Sequence, residues 1–177
     1  MTFFPKALLL VAVLGLAACN NPNRFGGGAN GGAGAGGAGG AGGIGTTGLG
    51  DASDPRSAAY FQQAVGDRVF FLVDQSTLTD TARGTLTQQA QWLAQNPDYA
   101  IIIEGHADEQ GTREYNLALG ARRASGVQDF LISQGVAPSR MRTVSYGKER
   151  PVEVCSVEEC YAKNRRAVTV LSTGAAG

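Results

Sequence analysis

The sequence has few histidines and cysteines, which are common metal ligands and catalytic groups. It contains one histidine, His106, and three cysteines among its 177 residues. A single histidine argues against a mechanism built on a histidine base, and no CxxC pair is present to suggest a zinc site. The 15 Lys and Arg residues balance the 15 Asp and Glu residues. Because there is no basic surplus, the composition argues against nucleic acid as a partner.

The sequence also lacks an apolar run that could cross a membrane near its start. The run from Ala7 to Leu16 falls well below the roughly 20 residues that span a bilayer. Lys6 precedes this run, as a positive residue does in a secretory signal. Residues 1–18 are therefore predicted to be a signal peptide that is removed from the mature protein.

The end of that segment, Leu16-Ala17-Ala18-Cys19, resembles a bacterial lipobox. In that motif the cysteine thiol receives a diacylglycerol and the chain is cut before it, so Cys19 is predicted to be lipidated. Several acyl chains on one residue anchor a protein stably, whereas a single chain binds marginally. Asn20 follows instead of the Asp that resembles an inner-membrane retention signal, which favours the outer membrane. The alternative is an ordinary secretory signal in which this cysteine occurs by chance.

Residues 19–54, from the lipidated cysteine onward, are predicted to form a flexible tether. More than half of the chain's 26 glycines lie between Gly26 and Gly50, with little else but alanine and small polar residues. Such a stretch cannot bury enough apolar surface to offset the entropy that ordering would remove. A coil of this length has an r.m.s. span of roughly 30–35 Å, which suits a domain held away from a membrane surface. No Gly-X-Y repeat with proline is present, so collagen is excluded.

The rest of the chain, residues 55–173, is predicted to be one α/β domain, an α+β sandwich. Val69–Val73 is a fully apolar run that ends at Asp74, which is typical of a central, buried strand. The β-α-β-α-β-β order of the predicted elements implies a mixed sheet covered by helices. The predicted elements are a helix over 55–65, a strand over 69–73, a helix over 78–94 with Leu86, Ala90, Trp92 and Leu93 inward, a strand over 99–104, a helix over 114–134, and strands over 141–146 and 167–171.

The helix over 114–134 carries two adjacent arginines with different surroundings. Thr112 is predicted to cap this helix. Arg122 points away from the apolar face and is interpreted as a solvated surface charge. Arg123 lies on the flank of that face, near the loop that carries Asp108, so its spacing allows a structural ion pair, which it favours, or an anion site. At 100° per residue the apolar face contains Leu117, Gly120, Ala124, Val127 and Leu131.

Cys155 and Cys160 lie in a loop between the last two predicted strands. A lipoprotein exported past the inner membrane reaches an oxidising compartment, where neighbouring thiols form disulfides. The alternative is half of a metal site, but the chain has one histidine and no CxxC pair to complete it. The sequence therefore favours a disulfide and predicts neither a metal nor another cofactor.

An ordered set of motifs carries a family resemblance. The motifs are Val69-Phe70-Phe71-Leu72-Val73-Asp74, Glu104-Gly105-His106-Ala107-Asp108-Glu109, Tyr115-Asn116 with Leu119-Gly120 and Arg122-Arg123-Ala124, Val144-Ser145-Tyr146-Gly147, and Tyr161-Ala162-Lys163-Asn164-Arg165-Arg166. Residues 69–171, with these motifs in this order, resemble the OmpA-like peptidoglycan-binding domains. Within that family they are most similar to the lipoproteins of the Tol–Pal system, and the predicted lipobox agrees with this independently.

The resemblance implies an OmpA-like fold with a pocket that binds the diaminopimelate residue of the peptidoglycan stem peptide without covalent chemistry. In the family an aspartate and an arginine hold the zwitterionic end of the ligand, and the matching positions here are Asp108 and Arg123. An aspartate can accept from the ammonium, and an arginine can donate two parallel bonds to the carboxylate. Asp74 matches a further pocket position. The implied pocket sides or supporting groups are Phe71, Thr112 and Asn116.

Other positions in these motifs receive simpler interpretations. Leu72 departs from the family, in which many members have a polar residue or glycine there, and it changes the expected pocket rim. His106 is expected to satisfy backbone groups after a buried strand and not to bind ligand. Glu104 and Glu109 are expected to be network or rim charges. Asn164-Arg165-Arg166 is expected to be structural, with its arginines paired to acidic groups.

The expected function is that of a non-enzymatic lipoprotein of the outer membrane whose periplasmic domain binds peptidoglycan. The resemblance also implies that the propeller protein TolB competes with peptidoglycan for this domain, and that the system takes part in constriction at cell division. A second hypothesis is a lipidated scaffold that acts mainly through protein partners, which Leu72 keeps open. A third is an envelope hydrolase with His106, Asp108 and Glu109 as acid–base groups, but the chain lacks a nucleophile motif and zinc ligands.

Overall fold

The computed structural model describes residues 50–173. The predicted signal peptide, Cys19 and the predicted tether as far as residue 49 lie outside this range. No helix among the described residues is long and apolar enough to cross a membrane. The described chain forms, in order, α1 (Ala58–Tyr60), a π-helical turn (Phe61–Gly66), β1 (Arg68–Phe70), α2 (Asp80–Gln95), β2 (Tyr99–His106), α3 (Arg113–Ser133), a 3₁₀ turn (Pro138–Arg140), β3 (Met141–Gly147), α4 (Glu158–Asn164) and β4 (Arg166–Thr173).

The strands form one four-stranded mixed sheet in the order β1-β4-β2-β3. β2 and β3 are parallel, whereas β4 runs antiparallel to both β1 and β2. α3 connects the two parallel strands, and such a crossover places its helix on one face of the sheet. α2 packs on the same face, so one core forms between the two helices and the sheet. The predicted fold class and mixed sheet are confirmed, whereas the short helix α4 was not predicted.

The core contains the predicted inward side chains of α2 and one buried polar group. The ring centre of Trp92 lies 4.8 Å from that of Phe61. Gln89 is also buried; its amide donates to the carbonyl of Gly66 at 2.7 Å and accepts from the hydroxyl of Thr169 at 2.8 Å. Because both ends of the amide have partners, its burial leaves no polar atom unpaired. The α2 residues that were predicted to face inward are all buried: Leu86, Ala90, Trp92 and Leu93.

The prediction of a central, buried strand over Val69–Val73 is wrong. β1 is shorter and lies at the edge of the sheet. Phe71 faces the core and is 3% exposed, whereas Leu72 and Val73 are 55% and 53% exposed. The physical reason is that α2 and α3 cover only one face of the sheet. The other face of an edge strand, and the turn that follows it, therefore meet solvent.

The first helix begins later than predicted. Its N-cap is Ser57, whose hydroxyl accepts from the amide of Tyr60 at 3.0 Å. Residues 55 and 56, which were predicted to be helical, lie in a turn in which Asp54 accepts from the amide of Arg56. The other predicted helices and the last three predicted strands agree with the structure to within about two residues at each end.

α3 begins where predicted but buries a slightly different face. The hydroxyl of Thr112 accepts from the amide of Tyr115 at 3.2 Å, which confirms the predicted cap. Leu117 was predicted to be buried but is 47% exposed, because it lies beside the edge strand β3, where no further strand covers it. Leu119, 4% exposed, is buried in its place. The other predicted residues of the apolar face are buried: Gly120, Ala124, Val127 and Leu131.

α3 and β2 approach each other closely at two glycines. A Cβ added to Gly105 would lie 1.9 Å from the carbonyl oxygen of Gly120, and one added to Gly120 would lie 2.8 Å from the carbonyl oxygen of Gly105. Side chains do not approach backbone oxygens so closely, so the contact admits only glycine. It holds the first half of α3 against the end of β2.

Replacing Gly105 with alanine should lower the free energy of unfolding by about 3 kcal/mol or more, because α3 and β2 must move apart. Gly84→Ala is the matched control. Gly84 lies inside α2 with nothing within 4 Å of an added Cβ, so this change should raise the free energy by about 0.5–1 kcal/mol. Urea unfolding, monitored by the fluorescence of Trp92, measures the stability of both variants. A Gly105 variant as stable as the wild type would contradict the close contact.

His106, the last residue of β2, is buried without a partner for its ring. It is 1% exposed, and neither ring nitrogen forms a hydrogen bond, although Glu104 Oε2 lies 3.5 Å from Nε2. The expectation that the imidazole satisfies backbone groups is therefore wrong. The main-chain carbonyl of His106 does have a side-chain partner, because it accepts a hydrogen bond from Nη1 of Arg123 at 2.7 Å. Burial, together with the charges of Arg166 and Arg150, lowers the pKa of His106 to about 4.

The stability of the protein should therefore fall as the pH is lowered from about 6.5 to about 4. The unfolded chain binds a proton on His106 below its ordinary pKa of 6.5, whereas the folded chain does so only below about 4. The loss should reach up to about 3 kcal/mol and then level off. His106→Gln should remove this part of the pH dependence, which urea unfolding across this pH range measures. Parallel stability curves for the two proteins would contradict the account.

Candidate functional site

A pocket of about 280 Å³ opens where the turn after β1 meets the loop between β2 and α3. Its sides come from these two segments and from the first two turns of α3, which the fold brings together. Three of the predicted site residues, Asp74, Asp108 and Asn116, lie in it together. The lining residues are Val73, Asp74, Asp108, Gln110, Gly111, Tyr115, Asn116 and Leu119.

Arg123 lies beneath this pocket and has no exposed surface. Its Nε donates to the carbonyl of Gln75 at 2.8 Å, and Nη2 donates to that of Leu72 at 3.3 Å. Its Nη1 donates to the carbonyl of His106 at 2.7 Å. The first two carbonyls belong to the turn after β1 and the third to the end of β2. One side chain therefore joins the two segments that form opposite sides of the pocket.

The charge of Arg123 is buried but has compensating neighbours. Burial lowers the pKa of its guanidinium to about 10, while Asp108 acts in the opposite direction. A pKa near 10 leaves the group cationic at neutral pH. The guanidinium carbon also lies 5.0 Å from the ring centre of Phe71, which is itself buried. Helical spacing predicted that Arg123 lies on the flank of the apolar face, whereas in the structure its side chain is completely buried.

Asp108 is 7% exposed, and its two carboxylate oxygens have different partners. Oδ2 lies 3.2 Å from Nη1 of Arg165, and Oδ1 accepts from the amide of Gln110 at 3.3 Å. Arg165 forms a second ion pair with Glu158. Burial lowers the pKa of Arg165, but the bonds to Glu158 and Asp108 outweigh it, so that pKa is raised. The expectation that Arg165 and Arg166 pair with acidic groups is confirmed for Arg165 but is wrong for Arg166, which donates to the carbonyls of Asn164 and Arg150.

Asp74 lies in the turn after β1 with a φ of 58°, a left-handed conformation that few residues other than glycine adopt. Aspartate tolerates this conformation better than most residues do. Its carboxylate accepts a hydrogen bond from the hydroxyl of Tyr115, which ties the turn to the first turn of α3. The same bond raises the pKa of Tyr115, so the phenol keeps its proton at neutral pH. This pair forms the outer edge of the pocket.

The remaining predicted site residues support the pocket in different ways. Asn116 is 1% exposed, and its amide donates to the carbonyl of Gln110 at 2.7 Å, which holds the loop in place. Thr112 caps α3 and does not line the pocket. Phe71 lies below, under Arg123.

Tyr115 and Gln110 line the pocket but were not predicted to do so. Tyr115 could have been identified from its helical position, since it lies one turn before Leu119 and next to Asn116. Gln110 lies in a loop, so no helical spacing indicated that it lines the pocket. Its position follows from the loop conformation, in which Gly111 has a φ of 88°.

The pocket combines acceptors for a cation with groups that favour an anion. The carboxylates of Asp74 and Asp108 can accept hydrogen bonds from a ligand ammonium. The first turn of α3 lies beside the pocket, and the positive end of a helix dipole favours a carboxylate. Arg123 adds a buried cation from below. This arrangement fits a zwitterionic group, such as the ammonium and carboxylate of an amino acid.

Cys155 and Cys160 are joined by a disulfide, with their Cα atoms 6.0 Å apart, which confirms the predicted pairing. Within the described part of the chain, no group of three His, Cys, Asp or Glu side chains could hold a metal ion. Asn164 is fully buried nearby, and its side chain accepts from the amide of Val152 at 2.9 Å and donates to Glu109 at 2.6 Å. These contacts give Asn164 the structural role expected and place Glu109 in its network.

Comparisons with solved structures agree with the fold. A crystal structure of the peptidoglycan-associated lipoprotein from Burkholderia pseudomallei is similar with a TM-score of 0.61 and 40% identity, over 69% of this chain and 100% of that chain. The C-terminal domain of Helicobacter pylori MotB is similar with a TM-score of 0.57 and 24% identity, over 61% of this chain and 85% of that chain. The second similarity bears on the fold alone.

Sequence comparisons identify relatives over nearly the whole chain. The peptidoglycan-associated lipoprotein of Mesorhizobium japonicum is 50% identical over 172 residues, which are 97% of this chain and 94% of that protein. The protein of the same name from Brucella melitensis is 59% identical over 126 residues, or 71% of this chain and 75% of that protein. The OmpA family model matches residues 70–165. Together these similarities show that the chain belongs to the OmpA family, as its motifs indicated.

Proposed function

We propose that this protein anchors the outer membrane to peptidoglycan through non-covalent binding in the pocket beside α3. The ligand is the diaminopimelate residue of the stem peptide. Its ammonium contacts Asp108 and Asp74, and its carboxylate contacts Arg123 and the first turn of α3. Because binding alone supplies the anchor, the proposal assigns no catalytic residue.

The proposal rests on two carboxylates, Asp74 and Asp108, that line one pocket, and on the buried guanidinium of Arg123, which joins the two segments that form the sides of that pocket. Of the three hydrogen bonds of Arg123, the one to the carbonyl of Leu72 is the longest at 3.3 Å. Because this hydrogen bond is the longest of the three, replacing it with a bond to a ligand carboxylate costs the least free energy. Each terminal nitrogen of a guanidinium also carries two N–H donors, so donors remain for a ligand. The name that the relatives share, peptidoglycan-associated lipoprotein, supports the same ligand.

The proposal extends to residues that the structure does not describe. Acylated Cys19 holds the start of the mature chain in the outer membrane. The glycine-rich tether, residues 19–54, of which only 50–54 are described, lets the domain reach peptidoglycan from that surface in the periplasm. As part of the Tol–Pal system, the domain also binds TolB in competition with peptidoglycan and takes part in envelope integrity and in constriction at cell division.

A second candidate function is a lipidated scaffold that acts mainly through protein partners. Leu72 and Val73 favour it, because these apolar side chains are more than half exposed in the turn beside the pocket. Exposed apolar groups next to a polar site are typical of surfaces that contact proteins. The two functions differ in one measurable respect, which is whether purified peptidoglycan alone retains the protein.

Asp108→Asn should reduce the affinity of the full-length protein for purified peptidoglycan by about tenfold or more, because the ligand ammonium loses a charged acceptor. Sedimentation of the detergent-solubilised protein with purified sacculi measures the bound fraction. Asp98→Asn is the matched control. Asp98 is exposed in the turn before β2 and does not line the pocket, so this variant should bind as the wild type does. Circular dichroism checks that both variants are folded.

The same assay separates the competing functions. A folded Asp108 variant that binds as well as the wild type would remove the pocket assignment. A wild-type protein that is not retained by peptidoglycan would contradict the anchor function and favour the scaffold. Release of soluble muropeptides during the incubation would show hydrolysis and contradict a purely binding role.

A further inference from the structure

We propose that Arg165 is a positioning residue for this pocket: it holds the carboxylate of Asp108 in the orientation that receives the ligand ammonium. The inference rests on the proposed function and adds to it a residue that does not line the pocket. Among the described residues, Arg165 is the one cationic side chain that hydrogen-bonds to Asp108. Its Nη1 lies 3.2 Å from Oδ2.

The ion pair between Arg165 and Asp108 is shielded from solvent. The two side chains are 6% and 9% exposed. The pair between Lys163 and Glu153 provides a contrast, since those side chains are 58% and 41% exposed. Water and salt screen an exposed pair strongly and a buried pair weakly. The contact to Arg165 is therefore strong enough to set the orientation of the Asp108 carboxylate.

Arg123 does not perform this task, although it is buried close to Asp108. Its Nε, Nη1 and Nη2 all donate to main-chain carbonyls, and none of them donates to Asp108. Arg123 thus holds the backbone on both sides of the pocket, whereas Arg165 holds the side chain that faces the ligand. Arg123 and Arg165 therefore have separate roles.

Arg165 is itself fixed on several sides. Its Nε donates to the carbonyl of Phe71 at 3.3 Å, and Nη2 pairs with Glu158. Arg165 directly precedes β4, and its main-chain carbonyl accepts a hydrogen bond from the amide of Phe71 at 2.9 Å. Glu158 lies within the short ring that the disulfide closes, at the start of α4. A guanidinium held in this way cannot follow a rotating carboxylate, so Asp108 must adopt the orientation that Arg165 sets.

This arrangement predicts an effect specific to one end of the ligand. Oδ2 of Asp108 is held by Arg165 and Oδ1 lies beside the amide of Gln110, so both oxygens have defined positions. An ammonium donates along fixed directions and gains most from acceptors that are already in place. Without Arg165 the ammonium contact should weaken. The contact between the ligand carboxylate and Arg123 should remain.

NMR titrations of the full-length protein in detergent can test this with two probes. One is the tripeptide L-Ala-γ-D-Glu-meso-diaminopimelate, and the other is the same peptide acetylated on its free side-chain amine. Arg165→Gln should weaken binding of the free amine by about tenfold or more and change binding of the acetylated peptide by less than about twofold. Arg165→Lys returns a cation to Asp108 without the planar fork, so it should recover part of the lost affinity.

Arg166→Gln is the matched control. Arg166 is the next residue in the chain, is 5% exposed like Arg165, and donates to the carbonyls of Asn164 and Arg150, away from Asp108. This variant should bind both peptides as the wild type does. Thermal unfolding of all variants reports the loss of stability separately from the loss of affinity.

Four outcomes would overturn the inference. Arg165→Gln could weaken both peptides equally, which would indicate a general structural effect, or it could weaken binding no more than Arg166→Gln does. Unchanged binding by the Arg165 variant, with a wild type that binds the free amine, would overturn the inference alone. A wild type that binds neither peptide would overturn the proposed function and the inference with it.

Discussion

A buried guanidinium holds together the two sides of the candidate pocket. Arg123 donates to carbonyls in the turn after β1 and to the carbonyl that ends β2. An arginine without exposed surface is costly to bury, and its bonds to carbonyl oxygens offset that cost. Replacing it would leave buried carbonyls unpaired, at about 1–3 kcal/mol each. The position of Asp74 in the turn and of Asp108 after β2 both depend on this one side chain.

The charges around the pocket are balanced, and this balance decides what the pocket can bind. Asp74 and Asp108 face the ligand, while Arg123 and Arg165 lie behind them. A ligand with only a positive charge would meet the carboxylates but would bring no negative group to Arg123, whose partners are uncharged carbonyls. A ligand with only a negative charge would be repelled by the carboxylates. A zwitterionic group satisfies both sets, which supports the proposed diaminopimelate ligand over a simple cation or anion.

Much of the fold followed from local patterns, whereas the supporting contacts of the pocket did not. Periodicity identified the buried residues of α2, and residue type identified the cap of α3, because both features depend on neighbours in the chain. It placed β1 at the centre of the sheet, since an apolar run has the same pattern at a centre and at an edge. Motifs pointed to Asp74 and Asp108, which do lie in one pocket. The contact between Arg165 and Asp108 joins residues 57 positions apart and depends on the pairing of β2 with β4, so no local pattern could identify Asp108 as the partner.

A crystal structure of the protein with the diaminopimelate tripeptide bound would show whether Asp108 and Arg123 hold the two ends of the ligand. The measurement is which protein atoms lie within hydrogen-bond distance of the ligand's ammonium and carboxylate. We expect the ammonium to lie about 3 Å from a carboxylate oxygen of Asp108, and the carboxylate to bind Nη2 of Arg123 in place of the carbonyl of Leu72. A ligand bound elsewhere, or one in the pocket that leaves all three bonds of Arg123 intact, would contradict it.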